Sequence, residues 1–131
     1  MIKLKNKVLI YVPVYNAGHE LLELFKNLPE FLFNKSVYDW LIIDNCSTDN
    51  AINELMVFLN KSENKLNLII LKTSKNLGYA GSQKLAYSIF SNQNEAKKII
   101  MLHSDGQYDP KLIKSFIPYF KKNNDIVYGA R

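Results

Sequence analysis

A chain of 131 residues and 15.2 kDa, 47% hydrophobic and 22% charged, can bury a core of its own and leaves no room for a second domain of ordinary size. Its one cysteine, Cys46, excludes an intramolecular disulfide scaffold and a Cys-rich zinc site, and fits a reducing compartment, read as cytoplasmic. The net charge of +5 suits an anionic partner, but the lysines are scattered and the sole arginine is Arg131, so no basic stripe marks a nucleic-acid binder and none is expected.

Lys3, Lys5 and Lys7 followed by Val8–Val12 imitate the start of a signal peptide, yet Pro13 breaks the run and the stretch reads as a buried strand. No apolar run approaches the roughly 20 residues needed to span a bilayer. Residues 7–14 form the first strand, apolar almost throughout as a strand covered on both faces would be. Leu21, Phe25, Leu28 and Leu32 recur at helical spacing, with Pro29 expected to kink or end that helix. Tyr38–Asp44 is a second strand, and Ile52, Leu55, Met56 and Leu59 mark a second helix opened by Ser47, Thr48 and Asp49. Leu66–Leu71 gives a third strand, Leu85, Ala86, Ile89 and Phe90 a third helix, and Ile99–Leu102 a fourth strand. Asp109-Pro110 opens a fourth helix carrying Leu112, Ile113, Phe116, Ile117 and Phe120, which Pro118 is expected to distort; Asp125–Gly129 supplies a fifth strand.

Strict alternation of strand and helix predicts an α/β fold: a three-layer α/β/α sandwich around a mostly parallel sheet. In such sheets ligands bind beyond the carboxyl ends of the strands, where strand order reverses. Four polar, turn-forming loops follow the strands. They read Val12-Pro13-Val14-Tyr15-Asn16-Ala17-Gly18, Asp44-Asn45-Cys46-Ser47-Thr48-Asp49, Lys75-Asn76-Leu77-Gly78-Tyr79-Ala80-Gly81 and His103-Ser104-Asp105-Gly106-Gln107-Tyr108-Asp109-Pro110. Each loop alone is accounted for by turns and helix caps, which need these residue types; together they mark a site.

The four loops resemble those of the family 2 nucleotide-sugar glycosyltransferases of GT-A fold. The likeness rests on Pro-Val-Tyr-Asn after the first strand and on Ile-Asp-Asn-Cys-Ser-Thr-Asp where the family has Val-Asp-Asp-Gly-Ser-Thr-Asp. It continues with Asn-Leu-Gly and with Ser-Asp-Gly-Gln near the family's Asp-x-Asp. The Asp-Gly-Gln-x-x-Pro run and the final Gly-Ala-Arg look most like the branch of polyprenyl-phosphate sugar synthases.

The resemblance implies that Pro13, Val14, Tyr15 and Asn16 line the nucleotide pocket, with Tyr15 either stacking there or closing the core. It implies that Asp44 accepts a hydrogen bond from the base, a task a carboxylate can perform; the other reading is a turn aspartate bonding its own backbone. Lys75 is placed to meet base or diphosphate, while Gly78 and Gly81 let the backbone approach the nucleotide and open the third helix with free N–H groups. Ser47, Thr48 and Asp49 read as caps, and Lys84 as a solvated helical lysine. Ser104 is implied as a further contact to the donor nucleotide, and Asp105 falls at the metal motif, where a hard divalent cation, Mn2+ or Mg2+, stabilises the departing diphosphate. Asp105 matches the last aspartate of Asp-x-Asp. The first position is His103, which either ligates the metal, bonds a ribose, or marks a site that has lost its metal. Asp109 reads as a helix cap that adds an outer carboxylate.

By the same resemblance the reaction is inverting transfer from a UDP-, GDP- or dTDP-linked sugar to an acceptor such as a polyprenyl phosphate or a growing glycan. The general base is then expected beyond Arg131, so residues 1–131 read as a single donor-binding unit, incomplete alone, from a protein working at the inner face of a membrane. The competing reading is a degenerate nucleotide-binding or interaction module without catalysis. A nucleotidyltransferase or a dinucleotide-dependent oxidoreductase is disfavoured, because no glycine-rich loop follows the first strand. An open sheet edge or apolar face is expected to permit self-association.

Overall fold

The computed structural model describes residues 2–94, 98–120 and 126–127. Four strands, β1 (Val8–Val14), β2 (Tyr38–Asp44), β3 (Leu68–Lys72) and β4 (Lys98–Met101), form one sheet in the order β3-β2-β1-β4. Every pairing is parallel. Parallel strands need crossover connections, which put helices over both faces and explain why β1 and β2 are apolar nearly throughout. All seven residues of β2 are buried.

Alternation along the strands splits the core in two. Ile10, Val12, Val14, Trp40 and Ile42 pack on one face under Leu21, Leu24 and Phe25 of α1 (His19–Lys26), Leu55 of α2 (Ala51–Lys61) and Ile113 at the start of α4 (Ile113–Phe120). Leu9, Tyr11, Leu41 and Ile43 pack on the other face against Leu85, Ala86, Ile89 and Phe90 of α3 (Gly78–Ser91). The result is the expected α/β/α arrangement.

Element boundaries differ from the sequence expectations in ways that local chemistry explains. The first helix stops at Lys26, because Pro29 has no N–H and disfavours helical backbone at Leu28; the chain then makes a 3-10 turn over Glu30–Phe33 that still buries Leu32. The second helix begins at Ala51 with Asn50 at its cap position, and of the three expected capping residues Asp49 alone bonds into it, accepting from Ala51 N–H at 3.3 Å. β3 begins at Leu68 rather than Leu66, although Asn67 already accepts from Trp40 N–H at 2.8 Å. Asp109 caps a 3-10 turn at Pro110–Leu112 by accepting from Lys111 N–H at 2.9 Å, and α4 follows with Pro118 inside it. The fifth strand expected at Asp125–Gly129 lies outside the described residues, except for Ile126 and Val127, which are in no strand. Among the described residues no helix is long and apolar enough to cross a membrane.

Strands are added outward from β1 through β2 to β3, and β4 then returns to the other flank of β1. The order therefore reverses between β1 and β4, and a crevice is expected beyond their carboxyl ends. Pairing of β1 with β4 ends at Tyr11 and Met101, so Val12–Val14 continue past β4, and Pro13, which has no N–H, falls where that flank of the strand is open.

Candidate functional site

A cleft of about 300 Å³ opens at this reversal point, lined by Pro13, Val14 and Tyr15 after β1, Asn45 after β2, Asn76, Gly78, Tyr79 and Ser82 around the start of α3, and His103, Ser104 and Asp105 after β4. The loops are held to one another by side-chain bonds to backbone, which fix their shape before any ligand arrives. Asn16 adopts positive φ, a conformation asparagine tolerates, and its Oδ1 accepts from Thr48 N–H at 2.8 Å while its own N–H donates to Ser47 Oγ at 2.9 Å. Asp49 Oδ2 accepts from Gly18 N–H at 2.7 Å, so Ser47, Thr48 and Asp49 tie the β2 loop to the β1 loop.

Asn45 makes the second tie. Its Nδ2 donates to Asn76 Oδ1 at 2.9 Å and to Gly78 O at 3.2 Å, and its Oδ1 accepts from Leu77 N–H at 2.8 Å. Asn76 Oδ1 also accepts from Gly78 N–H at 2.7 Å. The N–H groups of Leu77 and Gly78 are thereby spent on side chains, where the sequence reading left the start of this helix free for an anion. Gly78 still requires glycine, since its φ is +71°. Gly81 lies outside the cleft lining; a Cβ there would come within 2.8 Å of Leu77 Cβ, so helix packing accounts for it.

Other expected site residues are dispersed. Asn16, Asp44 and Lys75 are not part of the lining. Asp44 is 2% exposed, its Oδ1 accepts from Ser47 N–H at 2.9 Å, and Lys72 Nζ lies 3.6 Å from its Oδ2. Lys75 and Lys84 are exposed. Tyr15 is 55% exposed at the cleft, which decides against a role in closing the core.

Tyr79 and Ser82 entered no sequence expectation as site residues, and neither did Asn45 and Asn76. Ser82 is buried, its hydroxyl 2.8 Å from Tyr11 Oη, and burial raises the Tyr11 pKa above 10.0. Tyr79 Oη lies 3.4 Å from His103 Nε2, and its pKa is raised by burial first and by Tyr87 and Tyr108 next. The signal that would have found Tyr79 and Ser82 is their position, one and four residues after a glycine that starts a helix at the ligand-binding end of the sheet.

Asp105 is exposed, and its Oδ1 accepts from Gln107 N–H at 3.0 Å. Among the described residues no three His, Cys, Asp or Glu side chains gather as a ready metal cage. A cation of the Mg2+ type is commonly held by one or two carboxylates plus substrate phosphates and water. Asp105, with His103 two residues before it in the same cleft, fits that shared kind of site and not a cage built of protein alone.

Comparison with known proteins agrees with this architecture. The sequence profile described as Glycosyl transferase family 2 matches residues 9–131. The poly(ribitol-phosphate) beta-N-acetylglucosaminyltransferase TarS of Staphylococcus aureus is 25% identical over 121 residues, which cover 92% of this chain and 20% of that protein. The undecaprenyl-phosphate 4-deoxy-4-formamido-L-arabinose transferase of Proteus mirabilis is 28% identical over 127 residues, covering 96% of this chain and 37% of that one. A crystal structure of S. aureus TarS in complex with UDP-GlcNAc superposes with a TM-score of 0.66 at 22% identity, over 88% of this chain and 31% of that chain, a likeness of fold. The chain thus spans well under half the length of both relatives, and with its profile match running across nearly all of its residues it belongs to glycosyl transferase family 2.

Proposed function

We propose that the cleft binds a nucleotide-diphosphate sugar as the donor for inverting glycosyl transfer. The observation that carries the reading is the convergence of all four strand-end loops on one cleft at the reversal point of the sheet, in a chain of this family. UDP is the first choice of nucleotide, supported by the UDP-GlcNAc held by the TarS structure of similar fold. In this reading Pro13, Val14 and Tyr15 form the wall on which base and ribose rest, with the exposed Tyr15 ring as the stacking surface. Asp44 keeps the Asn45–Thr48 turn in place through its bond to Ser47, and a base contact would use lone pairs that this bond leaves. Lys75 and Asn16 act from the rim.

Asp105 is the residue of the cleft that would hold Mn2+ or Mg2+, with His103 beside it either as a further ligand or as a hydrogen-bonding partner of the nucleotide. Such an ion, when bound, neutralises charge developing on the departing diphosphate. The acceptor is proposed to be a polyprenyl phosphate or a growing glycan, supported by the undecaprenyl-phosphate transferase among the relatives. The general base is proposed to lie outside these residues, in keeping with the greater length of both relatives.

Calorimetric titration with UDP, GDP and dTDP, each with Mn2+ and again with chelator, tests the reading. One nucleotide, UDP first, is expected to bind, to lose most of its affinity on chelation, and to weaken on the order of tenfold or more in Asp105→Ala, as expected when a charged group is removed. Absence of binding for all three, with and without metal, would overturn it. His103, standing where the family pattern has a carboxylate, favours a second reading, a binding module without catalysis, which requires nucleotide binding that ignores the chelator.

A further inference from the structure

His103 stands where the family pattern has a carboxylate, and its ring contacts two tyrosines. The ring centroids are 6.0 Å from Tyr79, at 31° between planes, and 5.2 Å from Tyr108, at 49°. Tyr79 Oη lies 3.4 Å from His103 Nε2 and 3.4 Å from Met101 Sδ. A phenol has one proton to give, and a ring nitrogen is a much better acceptor than a thioether sulfur. Among the described residues His103 Nδ1 has no hydrogen-bond partner, which leaves it available to a ligand.

We propose that Tyr79 is a positioning residue whose O–H occupies the Nε2 lone pair of His103, so that the imidazole proton sits on Nδ1 and the ring donates a hydrogen bond to an oxygen of the bound nucleotide. A neutral imidazole ligates a metal through a free lone pair, and in this state His103 has none. Asp105 is then the metal-holding side chain of the cleft, and His103 is a donor beside it. The assignment of a nucleotide oxygen rests on the donor-site reading; the Tyr79–His103 bond is a property of the chain alone.

The test is the tautomer, read from imidazole 15N shifts in long-range 1H–15N spectra of the metal-free chain at about pH 8.5, above the ordinary imidazole range. The chain has two histidines, so His19→Gln leaves a single imidazole to read. The expected spectrum has an unprotonated Nε2 and a protonated Nδ1. Tyr79→Phe keeps the ring and should move the proton toward Nε2, and should weaken UDP–Mn2+ binding about three- to tenfold, the effect of one hydrogen bond. In His103→Gln, nucleotide binding should weaken yet still collapse on chelation, whereas in Asp105→Ala the sensitivity to chelator should be lost. A protonated Nε2 in the parent chain, shifts unmoved by Tyr79→Phe, or loss of chelator sensitivity in His103→Gln would each overturn the proposal. The expected tautomer in a chain that binds no nucleotide would instead overturn the donor reading, and with it the acceptor assigned to His103.

Discussion

Cys46 occupies the place where the family motif has glycine, and its φ is +67°. Holding a non-glycine residue in this region costs about 1–2 kcal/mol, because Cβ crowds the following carbonyl. Glycine would relieve that strain, while its greater freedom in the unfolded chain would take back about 0.4–1 kcal/mol. Cys46→Gly is therefore expected to stabilise the chain by about 0.5–1 kcal/mol, seen as a higher midpoint in urea with an unchanged slope; a lower midpoint would mean that contacts of the partly buried thiol outweigh the strain. The motif was legible at this position, but the backbone strain was not, since a sequence does not state φ. Likewise Tyr15 stood open between cleft and core until its exposure was known, and Tyr79 was invisible because its importance lies in a contact 24 residues away.

At the scale of elements, the loops are tied to one another because asparagine and serine side chains replace missing secondary-structure bonds. Asn45 is the clearest case. Its amide donates to two acceptors and receives from Leu77 N–H, so a residue with one donor face and one acceptor face is required. Asn45→Asp would set a carboxylate against Asn76 Oδ1 and Gly78 O, and Asn76 cannot turn its amide to compensate without losing the bond from Gly78 N–H. The expected cost is about 1–3 kcal/mol, the penalty for buried polar groups left without partners, measured by thermal unfolding. A change under half of that would show that the loop relaxes around the substitution. The chain carries asparagine where the family motif has a second aspartate, and the network gives a physical reason for the departure. Strands and helices themselves were readable from continuous apolar runs and helical spacing. Their ends were less so, since they depend on local detail: Pro29 lacks an N–H, Asn50 takes the cap position without a side-chain bond, and Asp109 caps by accepting from Lys111 N–H.

Over the whole molecule, Tyr11, Tyr38 and Tyr79 all have their pKa raised above 10.0, with burial the leading cause in each. Below the unfolded value of about 10 both states hold these protons, and the stability tied to the neutral phenols is fully present. Above it the unfolded chain loses protons first, so stability should fall as pH rises through and beyond 10. Unfolding in urea across pH 8 to 11 should show this decline, and Tyr11→Phe should make it shallower while costing about 1 kcal/mol at neutral pH through the lost bond to Ser82. An alkaline slope unaltered in Tyr11→Phe would assign the loss to other groups. The buried indole of Trp40, the single tryptophan, packs against Phe25 at 5.3 Å between ring centroids and reports such unfolding directly.

The sequence by itself determined the α/β class, the alternation of elements, the face each helix buries and the loops from which a site had to be built, because apolar periodicity and turn chemistry are local properties. It also carried the family likeness, since motifs in order survive where identity is low. Only the tertiary structure decided which loop residues meet. The order β3-β2-β1-β4 brings the ends of β1 and β4 together across a gap of some ninety residues, placing His103 and Asp105 opposite Pro13–Tyr15, and it sends Asp44 and Lys75 out of the cleft lining. Strand order is set by which faces and edges bury most surface in the assembled molecule, a sum over distant contacts that no window of sequence contains.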